Sequence, residues 1–268
     1  MCHFSESRQG SSSPRRKLLR LVLLMIVMIL SNSNVFMSNQ VTDAASSQLK
    51  ADEVLWIGDS WVQIPGIQHT RVRDLARAAG AIGPNEDFVD RAVSSSSIDE
   101  IERQYDSQEA GPVKVKLLLM DGGGTDILSG GAAVLVVGAK FNQFLSKVKS
   151  DGTVQAIVYY LYARLPVAKA SKVESMKPVM SQVCTSSAVP CYFLDCQPIF
   201  AGHPEFVGPD GTHPSAAGAL RIGNAIWKII QTKNLLRLAH CRKKVKGKAG
   251  KAKTSTARRD QVLGSSKD

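Results

Sequence analysis

A short apolar run that ends in Gly-Asp-Ser constrains this chain more than any other feature. Val54 to Ile57 are apolar, Gly58 follows them, and Ser60 comes two residues later. Such a run predicts a buried strand, and the glycine predicts a sharp turn at its end. Open α/β folds place their sites beside the carboxyl ends of strands, so Ser60 is expected at such an edge. Taken alone, however, Gly-Asp-Ser is more typical of an ordinary turn.

Strands and helices alternate along the rest of the globular sequence. Further strands are predicted at 88–93, 113–120, 154–161 and 191–194. Helical periodicity is present around 72–79, 98–105, 141–148, 170–187 and 216–230. This alternation predicts an α/β fold whose five-stranded, mainly parallel sheet is covered by helices on both faces.

The charge of the chain is concentrated at its ends. The net charge is +11 overall, with +4 in residues 1–20, +9 in residues 237–268 and −2 in the remainder. A near-neutral body argues against specific nucleic-acid binding. The segment 241–268 is rich in Lys, Gly and Ala, so it is predicted to be disordered. Electrostatic contact of this basic tail with an anionic envelope surface is one hypothesis for its role.

Residues 1–45 predict a signal peptide or a signal anchor. Arg15-Arg16-Lys17 precede ten apolar residues at 21–30, whereas a bilayer span needs about 20. A cleaved signal would give a periplasmic or secreted protein, and an uncleaved anchor would keep the protein at the membrane. Residues 46–51 are then predicted to be a linker and residues 52–240 the globular domain.

Cysteine usage fits an exported protein. Four cysteines remain when Cys2 is removed with the signal, namely Cys184, Cys191, Cys196 and Cys241, which permits two disulfides. Cys184 is a candidate partner for Cys191 or Cys196, and a buried thiol at Cys196 is the alternative. No Cys or His spacing predicts a zinc site.

Three polar motifs lie beside predicted strand or helix ends. They are the Gly-Asp-Ser motif, residues 123–126 and residues 210–214. In a parallel sheet such ends converge on one edge, so these motifs are expected to meet. A serine nucleophile needs a base within hydrogen-bond reach, and His213 is the candidate for Ser60. Asp210 is the candidate carboxylate that orients the imidazole.

The first and last motifs resemble those of the SGNH, or GDSL-like, hydrolase superfamily. Its nucleophile block usually reads Gly-Asp-Ser, and its last block reads Asp-x-x-His, often followed by Pro. The resemblance covers about residues 52–232. It implies a three-layer α/β/α, flavodoxin-like fold and ester hydrolysis through an acyl-enzyme, without a cofactor or metal. It assigns Ser60 as the nucleophile, His213 as the general base and Asp210 as its orienting acid.

The resemblance also implies an oxyanion hole, for which Ser60, Ser95, Gly124 and Thr125 are the candidates. Ser95 stands where the superfamily has a glycine, and Thr125 stands where it has an asparagine. A threonine hydroxyl is shorter than an asparagine amide and donates only one hydrogen bond. Loss of one oxyanion donor costs roughly 10²–10³ in rate in other enzymes, which predicts a slower enzyme or a reshaped hole.

Two functions remain open from the sequence. The first is a serine esterase that acts on small acyl or O-acetyl esters of a small molecule, a glycan or a lipid. The second is a catalytically impaired relative that binds a glycan or an acyl group in the same pocket. The Ser-Asp-His set supports the first, and the departures at Ser95 and Thr125 support the second.

Overall fold

The computed structural model of the chain describes residues 47–129, 131–163 and 167–237. The predicted signal segment and the basic tail lie outside the described residues, as do Cys2 and Cys241. Among the residues described, no helix is both long enough and apolar enough to cross a membrane.

The described residues contain one sheet of five strands. The strands are β1 (Val54–Ile57), β2 (Val89–Asp90), β3 (Leu117–Met120), β4 (Ala156–Leu161) and β5 (Cys191–Asp195). They are all parallel and lie in the order β2-β1-β3-β4-β5. This is the flavodoxin-like order, and it confirms the predicted fold class. Every residue of β1, β3 and β4 is buried, which explains their uninterrupted apolar sequences.

Helices connect the strands and cover the sheet. They are α1 (Ser60–Gln63), α2 (Ile67–Ala78), α3 (Ile98–Glu109), α4 (Gly124–Leu128), α5 (Val134–Asp151), α6 (Val167–Ser186), α7 (Gln197–Phe200) and α8 (Ala216–Thr232). Helix α2 packs against α8, and α5 packs against both α3 and α6. The two groups give the sheet a helical layer on each face, which makes three layers in all.

Local sequence signals explain where two of these helices begin. The Glu100 carboxylate accepts a hydrogen bond from the Ser97 N–H at 2.7 Å, as expected for a capping box at the start of α3. Helix α8 begins at Ala216. Ser215 is its N-cap and accepts from the Gly218 N–H at 3.2 Å, while Pro214 bridges to Val207.

The segment expected to be a linker over 46–51 is instead part of the packed domain from Ser47 onward. The Leu49 N–H donates to the Leu236 carbonyl at 2.9 Å. Leu49 and Ala51 are each 3% exposed, because both side chains join the hydrophobic core. The domain therefore begins a few residues before position 52.

A disulfide between Cys184 and Cys191 links the end of α6 to the start of β5. This is one of the two pairings that the sequence left open for Cys184. Cys196 is a buried free thiol in the described part of the chain, as the alternative interpretation expected.

Candidate active site

Gly58 makes the sharp turn between β1 and α1. Its φ is +149°, and a Cβ at this position would lie 1.9 Å from Asp121 Oδ1. The Asp59 N–H donates to the same Oδ1 atom at 2.7 Å. Gln104 of α3 accepts from the Gly58 N–H at 2.8 Å and donates to the Gly58 carbonyl at 3.0 Å. The turn makes Ser60 the first residue of α1, at the carboxyl edge of the sheet.

Asp59, the middle residue of the Gly-Asp-Ser motif, has a structural role. Its carboxylate is 2% exposed, accepts from the Trp61 N–H at 3.0 Å and accepts from the Tyr162 hydroxyl at 2.6 Å. Burial raises the pKa of Asp59, and these two hydrogen bonds oppose the rise. As N-cap of α1, Asp59 leaves the Ser60 N–H without an acceptor inside the helix, so this amide is available to a ligand.

Asp210 and His213 form an ordered pair on the loop before α8. The Asp210 Oδ2 atom lies 2.5 Å from His213 Nδ1, and Oδ1 accepts from the backbone amides of Thr212 and His213, each at 2.9 Å. The hydrogen bond with His213 lowers the pKa of Asp210 to about 2, with the two amides adding to the effect. Because Nδ1 faces the carboxylate, Nε2 is the ring nitrogen left to exchange a proton.

The sequence-predicted residues converge on one cleft. Its volume is about 170 Å³, and its walls include Ser60, Ser95, Gly124, Thr125 and His213. Asp210 is outside the lining and contacts the cleft through His213. The cleft also has walls that sequence reasoning did not single out, which are Trp61, Tyr162, Leu128, Ser129 and Thr212.

Ser95 has a backbone conformation that favours glycine. Its φ is +65°, which is uncommon for a residue with a side chain. The surrounding loop is fixed on both sides, because Ser96 N–H donates to the Val93 carbonyl at 3.3 Å and Ile98 N–H donates to Asp126 Oδ2 at 2.9 Å. The backbone at Ser95 therefore has a conformation that glycine adopts more readily than serine.

Replacing Ser95 with glycine is expected to stabilise the protein by about 1 kcal/mol, because a side chain at positive φ costs roughly 1–2 kcal/mol. Urea denaturation followed by circular dichroism measures the change in the free energy of unfolding. Ser97→Gly is the matched control, since Ser97 has an ordinary φ of −73° and should lose stability instead. If the two substitutions changed the free energy of unfolding equally, the inference of backbone strain at Ser95 would be contradicted.

The Gly124 amide is already engaged within the protein. Its N–H donates to the Tyr162 hydroxyl oxygen at 2.9 Å, although the sequence suggested this amide as an oxyanion donor. The contact is close, since a Cβ on Gly124 would lie 2.7 Å from the Tyr162 ring. Thr125 is half-buried beside it in the cleft wall. The candidate donors that remain are the Ser60 and Ser95 amides and the Thr125 hydroxyl.

Two buried carboxylates support this wall. Asp121 follows β3, is fully buried, and its Oδ2 atom has no hydrogen-bond partner among the described residues. Burial, with Asp59 nearby, raises the pKa of Asp121 well above its usual value. Asp59 accepts two hydrogen bonds from Trp61 and Tyr162, so the negative charge is favoured on Asp59 and the proton on Asp121. The resulting network ties the turn at Gly58 to the residues that follow β3 and β4.

Comparisons with known proteins place the fold but not the family. No protein-family model and no curated protein matches the sequence. A Clostridium thermocellum family 3 carbohydrate esterase has a TM-score of 0.58 at 17% identity, covering 71% of this chain and 100% of that one. A family 3 carbohydrate esterase from Talaromyces cellulolyticus has a TM-score of 0.56 at 16% identity, covering 69% and 98%. TesA has a TM-score of 0.55 at 20% identity, covering 68% and 99%. At these identities the likeness establishes a shared α/β fold.

Proposed function

We propose that this chain is a serine ester hydrolase of the SGNH type that acts on small acyl or O-acetyl esters. The observation that carries the proposal is the convergence of Ser60 and His213 on one cleft, with Asp210 2.5 Å from the far nitrogen of the imidazole. A hydroxyl, a base and a carboxylate that orients the base are the parts that nucleophilic acyl transfer requires.

In the proposed reaction, Ser60 Oγ attacks the ester carbonyl and His213 Nε2 takes its proton. Asp210 stabilises the imidazolium that forms, while the amides of Ser60 and Ser95 and the Thr125 hydroxyl donate to the oxyanion. The imidazolium then gives its proton to the departing alcohol, which leaves an acyl group on Ser60. Water, deprotonated by His213, attacks this acyl-enzyme and releases the carboxylic acid and free Ser60.

The size of the cleft supports a small acyl group. A volume of about 170 Å³ is below the range of roughly 300–1,000 Å³ usual for ligand pockets. The Trp61 and Tyr162 rings, 5.4 Å apart in an edge-to-face contact, form part of its wall. Solved structures of the same fold that are described as acetylxylan or carbohydrate esterases add support for an O-acetyl ester.

The proposal includes export of the protein. The basic and apolar segment within residues 1–45 supports it, and so does the disulfide between Cys184 and Cys191, since disulfides persist in oxidising compartments. The mature protein would be periplasmic or secreted, or anchored by its N-terminal segment.

A second candidate is a catalytically impaired protein that binds a glycan or acyl group in the same cleft. The engagement of the Gly124 amide by Tyr162 favours it, because it removes one oxyanion donor. Thr125 in the position expected for asparagine favours it as well. The two candidates differ in whether Ser60 is an activated nucleophile.

Labelling with a fluorophosphonate probe separates these candidates. We expect the purified chain to be modified at one residue, Ser60, located by mass spectrometry of proteolytic peptides. Ser60→Ala should give no adduct, whereas Ser129→Ala, which alters another serine of the same cleft, should be labelled like the wild type. If the wild-type chain is folded but is not labelled, the esterase proposal is contradicted and the second candidate, a binding protein, is favoured.

A further inference from the structure

A second cavity lies at the same carboxyl edge of the sheet, next to the loop that carries His213. Its volume is about 520 Å³, and it is formed by part of segment 197–207 together with Glu174 of α6. This segment begins two residues after the end of β5. Tyr162, which lines the cleft, directly follows the end of the neighbouring strand β4. The neighbouring strand ends therefore place the cavity beside the cleft.

The two sites share an aromatic wall and a joined pair of loops. Phe200 lines the second cavity, and its ring centroid is 6.0 Å from that of Trp61, which lines the cleft. The Gly208 N–H donates to the His213 carbonyl at 2.7 Å, and Ser215 N–H donates to the Phe206 carbonyl at 2.8 Å. These bonds fix the loop of the second cavity against the loop of the proposed base.

The chemistry of acyl transfer gives this side of the cleft a specific role. The imidazole that takes the proton of Ser60 must next give it to the leaving oxygen, so the alcohol departs on the His213 side. The oxyanion donors, by contrast, bind the carbonyl oxygen and not the leaving oxygen. A cleft of 170 Å³ accommodates a short acyl group, whereas 520 Å³ lies within the usual range for a ligand pocket.

The walls of the second cavity combine apolar surface with hydrogen-bonding groups. Phe200 and Pro204 supply the apolar part, and Glu174 is an exposed carboxylate. The His203 ring is fixed by Glu205, 2.9 Å from Nδ1, and by stacking on Phe206, which leaves Nε2 for a ligand. A carboxylate at this wall disfavours an anionic alcohol and accepts hydrogen bonds from hydroxyl groups.

We propose that this cavity binds the alcohol part of the ester and that this alcohol is neutral and polyhydroxylated, with the size and mixed surface of a sugar unit. The inference rests on the proposed ester hydrolysis, because it takes the position of the leaving group from that reaction. Selectivity among esters of small acyl groups then comes from the alcohol.

Two acetyl esters that differ only in the alcohol test the proposal. Hydrolysis of methyl 6-O-acetyl-glucopyranoside and of ethyl acetate is followed by pH-stat on the full chain. We expect kcat/KM to be at least about tenfold higher for the glycoside ester. Ala201→Trp, which fills the cavity from an exposed lining position, and Glu174→Gln should each lower this ratio by about tenfold. Glu102→Gln, a matched change on α3 outside the cavity, should leave it unaltered.

Binding of methyl glucopyranoside provides a readout that does not depend on catalysis. Saturation-transfer NMR should detect binding to the Ser60→Ala chain and its loss when Ala201→Trp is added. Turnover of both esters with equal kcat/KM, and no effect of Ala201→Trp, would overturn the alcohol site while leaving the hydrolase proposal intact. If the chain shows neither turnover nor labelling, the hydrolase proposal is overturned. The alcohol site is then judged by binding alone, and it is overturned if methyl glucopyranoside does not bind to the Ser60→Ala chain.

Discussion

Replacing Ser60 with alanine is expected to lower kcat for p-nitrophenyl acetate by about 10⁴–10⁶-fold, to near the background rate. The substitution removes the oxygen that forms the acyl-enzyme, so His213 no longer has a nucleophile to activate. Any residual rate would come from binding and from the donors that remain, which are the backbone amide of residue 60 and the donors at Ser95 and Thr125. Release of p-nitrophenol under steady-state and burst conditions measures the loss and shows whether an acyl-enzyme accumulates.

The three proposed catalytic side chains are expected to act as a unit. Asp210→Asn alone should lower kcat by about 10⁴-fold, because the amide no longer fixes the imidazole tautomer, and it should cost nothing further in the Ser60→Ala chain. Asp87→Asn is the matched control, since Asp87 lies 3.6 Å from His69 outside the cleft. Full activity of Asp210→Asn would contradict the orienting role of this carboxylate.

The pH dependence of the same reaction tests whether Asp210 stays ionised over the working range. The pKa of Asp210 is lowered to about 2 by its hydrogen bond with His213, so the carboxylate is almost fully ionised above about pH 4. Protonation of Asp210 is therefore not expected to lower kcat on acidification down to about pH 4. Any acid limb above about pH 4 should persist in Glu205→Gln, where another exposed His–carboxylate pair is altered, and its loss in Asp210→Asn alone would contradict this expectation.

The sheet could be predicted because its central strands are buried on both faces. β1, β3 and β4 need apolar residues at successive positions, which produces the continuous runs seen in the sequence. The edge strand β2 was predicted with six residues and has two, Val89 and Asp90, because it pairs only with β1 and its side chains are not fully buried. Strand boundaries depend on pairing partners, and these are distant in sequence.

The catalytic candidates could be predicted because each motif is short and carries its chemistry locally. The Asp210 carboxylate reaches His213 across three residues, a distance that a local motif specifies. The hydrogen-bond network around Asp59, in contrast, joins residues that are distant in sequence. The Tyr162 hydroxyl reaches Asp59 across 103 residues, and the Asp59 amide reaches Asp121 across 62. Only the folded sheet brings these groups together. For the same reason, no feature of the sequence indicated that the Gly124 amide donates a hydrogen bond to Tyr162.

Replacing Gly58 with alanine is expected to destabilise the protein by about 3–5 kcal/mol, a large fraction of the total stability of a domain. The new Cβ would lie 1.9 Å from Asp121 Oδ1 and 2.7 Å from Val62 Cγ2, at a φ of +149°. Relief of this overlap requires movement of Asp121, which would break its hydrogen bond with the Asp59 amide. Chemical denaturation followed by circular dichroism measures the loss.

Gly80→Ala is the matched control for this effect. Gly80 also has a positive φ, +64°, but no atom lies within 4 Å of a Cβ built there. It should therefore lose only about 1 kcal/mol, the cost of backbone strain, and the difference between the two variants measures the contact between the β1 turn and β3. Equal losses would mean that Asp121 does not pack against this turn. A Gly58→Ala chain that stays folded but resists fluorophosphonate would show that the same contact orients Ser60, so that stability and nucleophile geometry depend on one close approach.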